Sequence, residues 1–199
     1  MQHEQRRLDG HGLSLNVHRF IAAAVTRATP IVLLHGFMDS GATWDDVAEP
    51  LAAAGYEVWA PDQRGFGGSD RVTGGGYYHF PNYVADLHRL LAQLTDAPVI
   101  LVGHSMGGTV AARAAGARPE RFSHVVRMEG IGPPDMGPGL AVMRTRAWLD
   151  GLDRMRGKSA APLADLEDAA RRLGATHPNI SAEIIRRQAA QLVCERDGE

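Results

Sequence analysis

LVGHSMGGT, residues 101–109, places Ser105 two residues from a glycine on either side, at the end of an apolar run. That run, APVILVG at 97–103, suits a strand buried on both faces, and a helical pattern begins at Met106. A chain that passes from buried strand to helix at one residue must reverse tightly there and strain its backbone. Gly103 and Gly107 meet that demand, because a side chain at either position would collide across the turn. The serine oxygen is thereby pushed out at the carboxyl end of the sheet, where open α/β sheets place their ligands. The positive end of the following helix and the Met106 amide face the same spot, an arrangement that steadies a developing oxyanion. Five-residue patterns of this spacing are common; the strand before and the helix after give this one its weight.

Outward from this elbow, strand and helix patterns alternate. QRRLDGHGLSLNVHRF at 5–20 reads as two strands around a Gly-rich turn at Asp9, Gly10 and Gly12. PIVLLHG at 30–36 and YEVWAPD at 56–62 are further strands. Between them, Thr43 is placed to cap a helix through TWDDVAEPLAAAG, which Pro50 should kink or split. NYVADLHRLLAQL at 82–94 carries a helical face of Val84, Leu87, Leu91 and Leu94. After the helix from Met106, SHVVRMEG at 123–130 closes the series as a strand. The alternation implies a mostly parallel α/β sheet with helices on both sides, residues 1–132.

From Ile131 the pattern changes. GPPDMGPG at 132–139 is a linker, and residues 133–199 form an all-helical cap without a strand. Its stripes are Leu140, Met143, Ala147, Leu152 and Met155, then Leu163, Leu166, Ala170 and Leu173. Ser181 caps the third helix, with Ile180 and Ile185 placed as a hydrophobic staple.

With 44% hydrophobic and 22% charged residues, the 199-residue chain can build one sizeable core. A formal charge of -2 without like-charge runs gives no footprint for nucleic acid or an anionic membrane. Cys194 is the only cysteine, which excludes an internal disulfide, and MQHEQRRLDG lacks the apolar core of a signal peptide. A cytoplasmic location is expected, with no cofactor or metal required.

LLHGFMDSGATW at 33–44, DQRGFGGSD at 62–70 and VGHSMGG at 102–108 resemble three successive signature segments of the α/β-hydrolase superfamily. The resemblance covers residues 5 to about 131 and implies a serine hydrolase acting on a small acyl substrate, with Ser105 as nucleophile. It maps the second oxyanion amide onto Phe37, beside that of Met106, and makes Phe37 and His104 candidate substrate contacts. His35, Asp62 and Arg64 are then structural, His35 fixing its loop by a hydrogen bond, and His104 and Trp44 read most simply as packing and loop residues. The helical segment resembles the cap that shapes an apolar pocket in many members.

The family order is nucleophile, acid, histidine. Glu129, at the end of VVRMEG, is the candidate acid, against the plainer reading of a solvated strand-end glutamate. No histidine follows a late strand; His177, in THPNIS, sits between two cap helices and reads as a surface residue. The expectation is therefore a chain truncated before the last strands and the catalytic histidine, with a missing C-terminal segment as partner. The competing class is a non-catalytic ligand-binding member of the same fold, or one piece of a split hydrolase.

Overall fold

The computed structural model describes residues 2–22, 24–74, 76–130, 132, 140–157 and 163–193. Strands β1 (Gln2–Asp9) and β2 (Ser14–Ile21) form an antiparallel hairpin, paired from Asp9↔Ser14 to Gln2↔Ile21. Its turn takes positive φ at two consecutive residues, His11 (50°) and Gly12 (88°), a twist that matches the strands on either side. The Gly10 N–H closes it on the Leu13 carbonyl at 2.7 Å.

Strands β3 (Ile31–Leu34), β4 (Val58–Pro61), β5 (Val99–His104) and β6 (Phe122–Met128) pair in parallel. With β2 antiparallel to β4, the sheet order is β1-β2-β4-β3-β5-β6. The mostly parallel sheet expected from the alternating pattern is present, with the hairpin as its antiparallel edge.

Side chains alternate across the sheet and divide the core into two layers. Val32 and Leu34 of β3, Trp59 of β4 and Val99 and Leu101 of β5 face one side. There they meet Tyr83, Leu87, Leu90 and Leu91 of α2 (Phe80–Leu94) and Val110, Ala111 and Ala114 of α3 (Met106–Ala117). Ile31, Leu33, Val58 and Ala60 face the other side, against Ala48 and Ala52 of α1 (Asp45–Ala53) and Trp44. Helices therefore cover both faces, which is why β3 and β4 read as continuous apolar runs.

Two expectations about α1 need correction. Thr43 does not cap it: a 3-10 turn at Gly41–Trp44 precedes the helix, and the Thr43 hydroxyl bonds the Asp39 carboxylate instead. Pro50 neither splits nor ends the helix, which runs on to Ala53. The lost Pro50 N–H falls within the last turn, where its own carbonyl still accepts from Ala54 N–H at 3.0 Å.

At the far side of the sheet β6 pairs, among the described residues, with β5 alone, and Val125, Val126 and Met128 are 38%, 48% and 49% exposed. Neighbouring Val125 and Val126 point to opposite faces, so each face of this strand leaves apolar surface partly exposed although α3 packs against it. An apolar strand with a free edge is a template for another strand.

Beyond it, α4 (Leu140–Met155), α5 (Leu166–Thr176) and α6 (Ala182–Leu192) follow without an intervening strand among the described residues. Ser181 caps α6 as expected, accepting from Ile184 N–H at 3.4 Å. Ile185 is buried beneath the cap while Ile180 stays 46% exposed. Asp165 caps α5, accepting from Asp168 N–H at 2.8 Å. α5 and α6 pack on each other, and Gln191 of α6 donates to Asp45 at 3.1 Å at the start of α1. The apolar stripe expected on α4 exists, but no residue of α4 is buried, and its Trp148 ring meets the rings of Tyr77 and His79. The linker at 133–139 and Cys194 lie outside the described residues. No described helix is long and apolar enough to cross a membrane.

Candidate active site

Ser105 links β5 to α3 with φ 49° and ψ −109°, a positive-φ conformation that residues other than glycine seldom adopt. Its N–H donates to the Met128 carbonyl at 2.9 Å, and its carbonyl accepts from Thr109 N–H at 3.1 Å. The strained residue is thus held between the end of β6 and the first turn of α3.

The surrounding glycines make that geometry possible. A Cβ on Gly103 would strike the Gly107 carbonyl across the turn, as expected from the sequence. A Cβ on Gly107 would strike the Leu34 carbonyl at the end of β3, so that glycine serves packing between helix and neighbouring strand rather than the turn itself. Gly130, at φ 68°, passes so close to the Ser105 carbonyl that only glycine fits. Gly107→Ala should therefore cost at least about 1–3 kcal/mol, since backbone must move to admit the methyl. A denaturation midpoint within error of the parent's would contradict that close approach.

Met106 is the first residue of α3, so its amide has no partner within the helix and points out of the helix N-terminus. Phe37 follows β3 in a turn, 68% exposed, with its ring edge-on to Phe66 at 5.7 Å. Across from it Gly36 leaves room for His104, whose Nδ1 would lie 2.9 Å from a Cβ there. The β3 loop, the β5 elbow and the α3 N-terminus therefore meet around Ser105.

Behind this site lies a buried polar scaffold. His35 is 1% exposed; its Nδ1 bonds the Gly36 carbonyl at 2.7 Å and its Nε2 accepts from Gln63 N–H at 2.9 Å. Burial holds its pKa below the ordinary imidazole value, and with both nitrogens engaged it pins its loop. Asp62 accepts from Asn16 Nδ2 at 2.9 Å, Gly41 N–H at 2.6 Å and Gly68 N–H at 2.8 Å, tying β2 and two loops to the end of β4. Burial pushes its carboxyl up, but contact with His18 and these hydrogen bonds outweigh that and hold it below the usual carboxylate range. Arg64 forms a two-pronged ion pair with Asp86 of α2, both buried. Burial raises the Asp86 carboxyl against the pull of the guanidinium.

Asp86 was not singled out from the sequence. Its signal was a carboxylate on the buried stripe of α2, between Tyr83 and Leu90, where a charge needs a partner. Trp44 is buried in the core, a packing residue as expected.

Glu129 follows β6 with φ 64°. Its carbonyl lies close under Gly108 of α3, 2.8 Å from where a Cβ would stand, so its backbone is brought to the elbow. Its side chain is exposed and has no hydrogen bond or ion pair among the described residues. His177 is exposed at the turn between α5 and α6, on the wall of a groove of about 830 Å³ that those helices form. No described histidine is hydrogen-bonded to the Ser105 hydroxyl.

Comparison with known proteins places this arrangement. The AB hydrolase superfamily protein YfhM of Bacillus subtilis (strain 168) is 40% identical over 117 residues, 58% of this chain and 40% of its own length. Epoxide hydrolase A of Mycobacterium tuberculosis (strain ATCC 25618 / H37Rv) is 34% identical over 124 residues, 62% of this chain and 38% of its own. The chain thus spans less than half the length of these curated relatives. Among solved structures, a thioesterase domain from the curacin biosynthetic pathway superposes with a TM-score of 0.82 at 30% identity, over 100% of this chain and 70% of that one. The family model described as the alpha/beta hydrolase fold matches residues 29–180, and the chain belongs to that family.

Proposed function

We propose that Ser105 is the nucleophile of a hydrolase that cleaves an ester or related acyl bond. The observation that carries this reading is the positive φ of Ser105 between a buried strand and a helix N-terminus, a strain that the surrounding fold maintains. The hydroxyl oxygen attacks the substrate carbonyl carbon while its proton passes to an imidazole base, and the amides of Phe37 and Met106 hold the oxyanion. Collapse breaks the bond to the leaving alcohol, which takes the proton from the imidazolium and departs. Water then cleaves the acyl-serine by the same steps. No described histidine supplies the base, so the reading requires an imidazole from outside the described residues. Epoxide opening in this superfamily uses an aspartate at the nucleophile position, and Ser105 argues against it here.

Glu129 is the proposed acid, supported by its position at the elbow. With the imidazole base present, Glu129→Gln should lower kcat for a short acyl ester by orders of magnitude with KM nearly unchanged. A loss under about tenfold, roughly 1.4 kcal/mol, would assign the acid elsewhere.

A second reading, a ligand-binding member without turnover, is kept because no histidine among the described residues bonds the Ser105 hydroxyl. A fluorophosphonate probe separates the two. Covalent phosphonylation at Ser105, located by peptide mass spectrometry, requires an activated serine and supports the hydrolase. An unlabelled serine in folded protein supports the binder.

A further inference from the structure

On the face of the hairpin that turns towards α1, His3 of β1 and His18 of β2 bring His3 Nε2 and His18 Nδ1 to 3.2 Å. An Asp45 carboxylate oxygen at the start of α1 joins them, all ligand atoms lying within 4.8 Å of one another. We propose that His3, His18 and Asp45 form a binding site for a zinc-like divalent transition ion, a fourth position being left to water.

Three features support a ligand set over a simple imidazole pair. First, the 3.2 Å separation is close to the about 3.3 Å expected of two nitrogens each about 2.0–2.1 Å from a tetrahedral ion. Second, the far side of His18 is already arranged. Its Nε2 lies 3.6 Å from Asp62 Oδ1, and Asn16 Nδ2, 3.4 Å from the same nitrogen, donates to Asp62 Oδ2. A carboxylate only accepts, so it favours the proton on Nε2 and leaves the Nδ1 lone pair facing His3. That carboxylate-imidazole pairing is the one that orients metal-bound histidines. Third, Asp45 Oδ1 is buried with no hydrogen-bond partner among the described residues, while Gln191 donates to Oδ2 at 3.1 Å. A buried carboxylate oxygen without a donor costs free energy that a cation would recover.

The ring of His3 is set by stacking on Phe20, centroids 4.2 Å apart at 11°. Closing the 4.8 Å span needs a turn of Asp45 or of exposed His3. Two imidazoles and a carboxylate suit zinc better than magnesium or calcium, which take oxygen ligands. Bound there, the ion clips β1 and β2 to α1 and, through Asp45 and Gln191, to α6.

The test uses the longest soluble form of the protein carrying residues 1–199, tag removed and metal stripped, titrated with zinc chloride by calorimetry. One zinc per chain is expected, with Tm raised by about 5 °C at a hundredfold excess over Kd. His3→Ala and Asp45→Asn should each weaken binding at least about tenfold, and exposed His88→Ala should not. X-ray absorption of the zinc-loaded parent reads the ligands without any variant, and two imidazole nitrogens with one carboxylate oxygen are expected. Absence of binding, equal binding by the His3 and Asp45 variants, or an absorption spectrum lacking two imidazoles would each overturn the site.

Discussion

With the imidazole base present, Ser105→Ala is expected to lower turnover of a short acyl ester such as p-nitrophenyl acetate on the order of 10⁵- to 10⁶-fold in kcat, with KM little changed. The substitution removes one oxygen and leaves the backbone demand untouched: alanine meets the same steric cost at φ 49° as serine. The hydrogen bonds from Ser105 N–H to Met128 and from Thr109 N–H to the Ser105 carbonyl are made by backbone and survive. The variant should therefore melt within about 0.5 kcal/mol of the parent, the range of a change that disturbs no packing. The remaining rate would come from binding and from the proposed oxyanion amides. An activity loss under tenfold in a folded variant would end the assignment of Ser105 as nucleophile.

The largest expected effect on stability is at Asp86. Its carboxylate faces the Arg64 guanidinium through two hydrogen bonds, and both residues are almost fully buried. Asp86→Ala leaves that guanidinium without a counter-charge and without water, at an expected cost of about 3–5 kcal/mol. Against a margin of about 5–15 kcal/mol for a domain, this is a large fraction. Replacing both partners, Arg64→Met with Asp86→Leu, removes the charges together and should recover much of the loss. Urea midpoints compared at constant m-value measure both. A single variant that loses under 1 kcal/mol, or a double variant less stable than the single, would show that the pair does not act as a buried ion pair.

Most of the elements around the elbow were legible because their physics is local. The apolar runs of β3 and β4 could be recognised since a strand covered on both faces has no polar side to interrupt it. The elbow could be recognised because a strand, a serine and a helix in succession allow few backbone paths, and Gly103 already implies the collision seen there. Thr43 misled because residue type alone cannot distinguish a cap from a preceding 3-10 turn that takes its hydroxyl to Asp39.

What the sequence determined by itself was therefore the order of strands and helices and the strained turn at Ser105, each set by residues close along the chain. Tertiary structure alone decided the partners: Asp86 for Arg64, Leu34 for Gly107, and the meeting of His3, His18 and Asp45. Residues far apart along the chain are brought together by sheet order and helix docking, and a side chain's charge or size gives no indication of which distant atom will satisfy it.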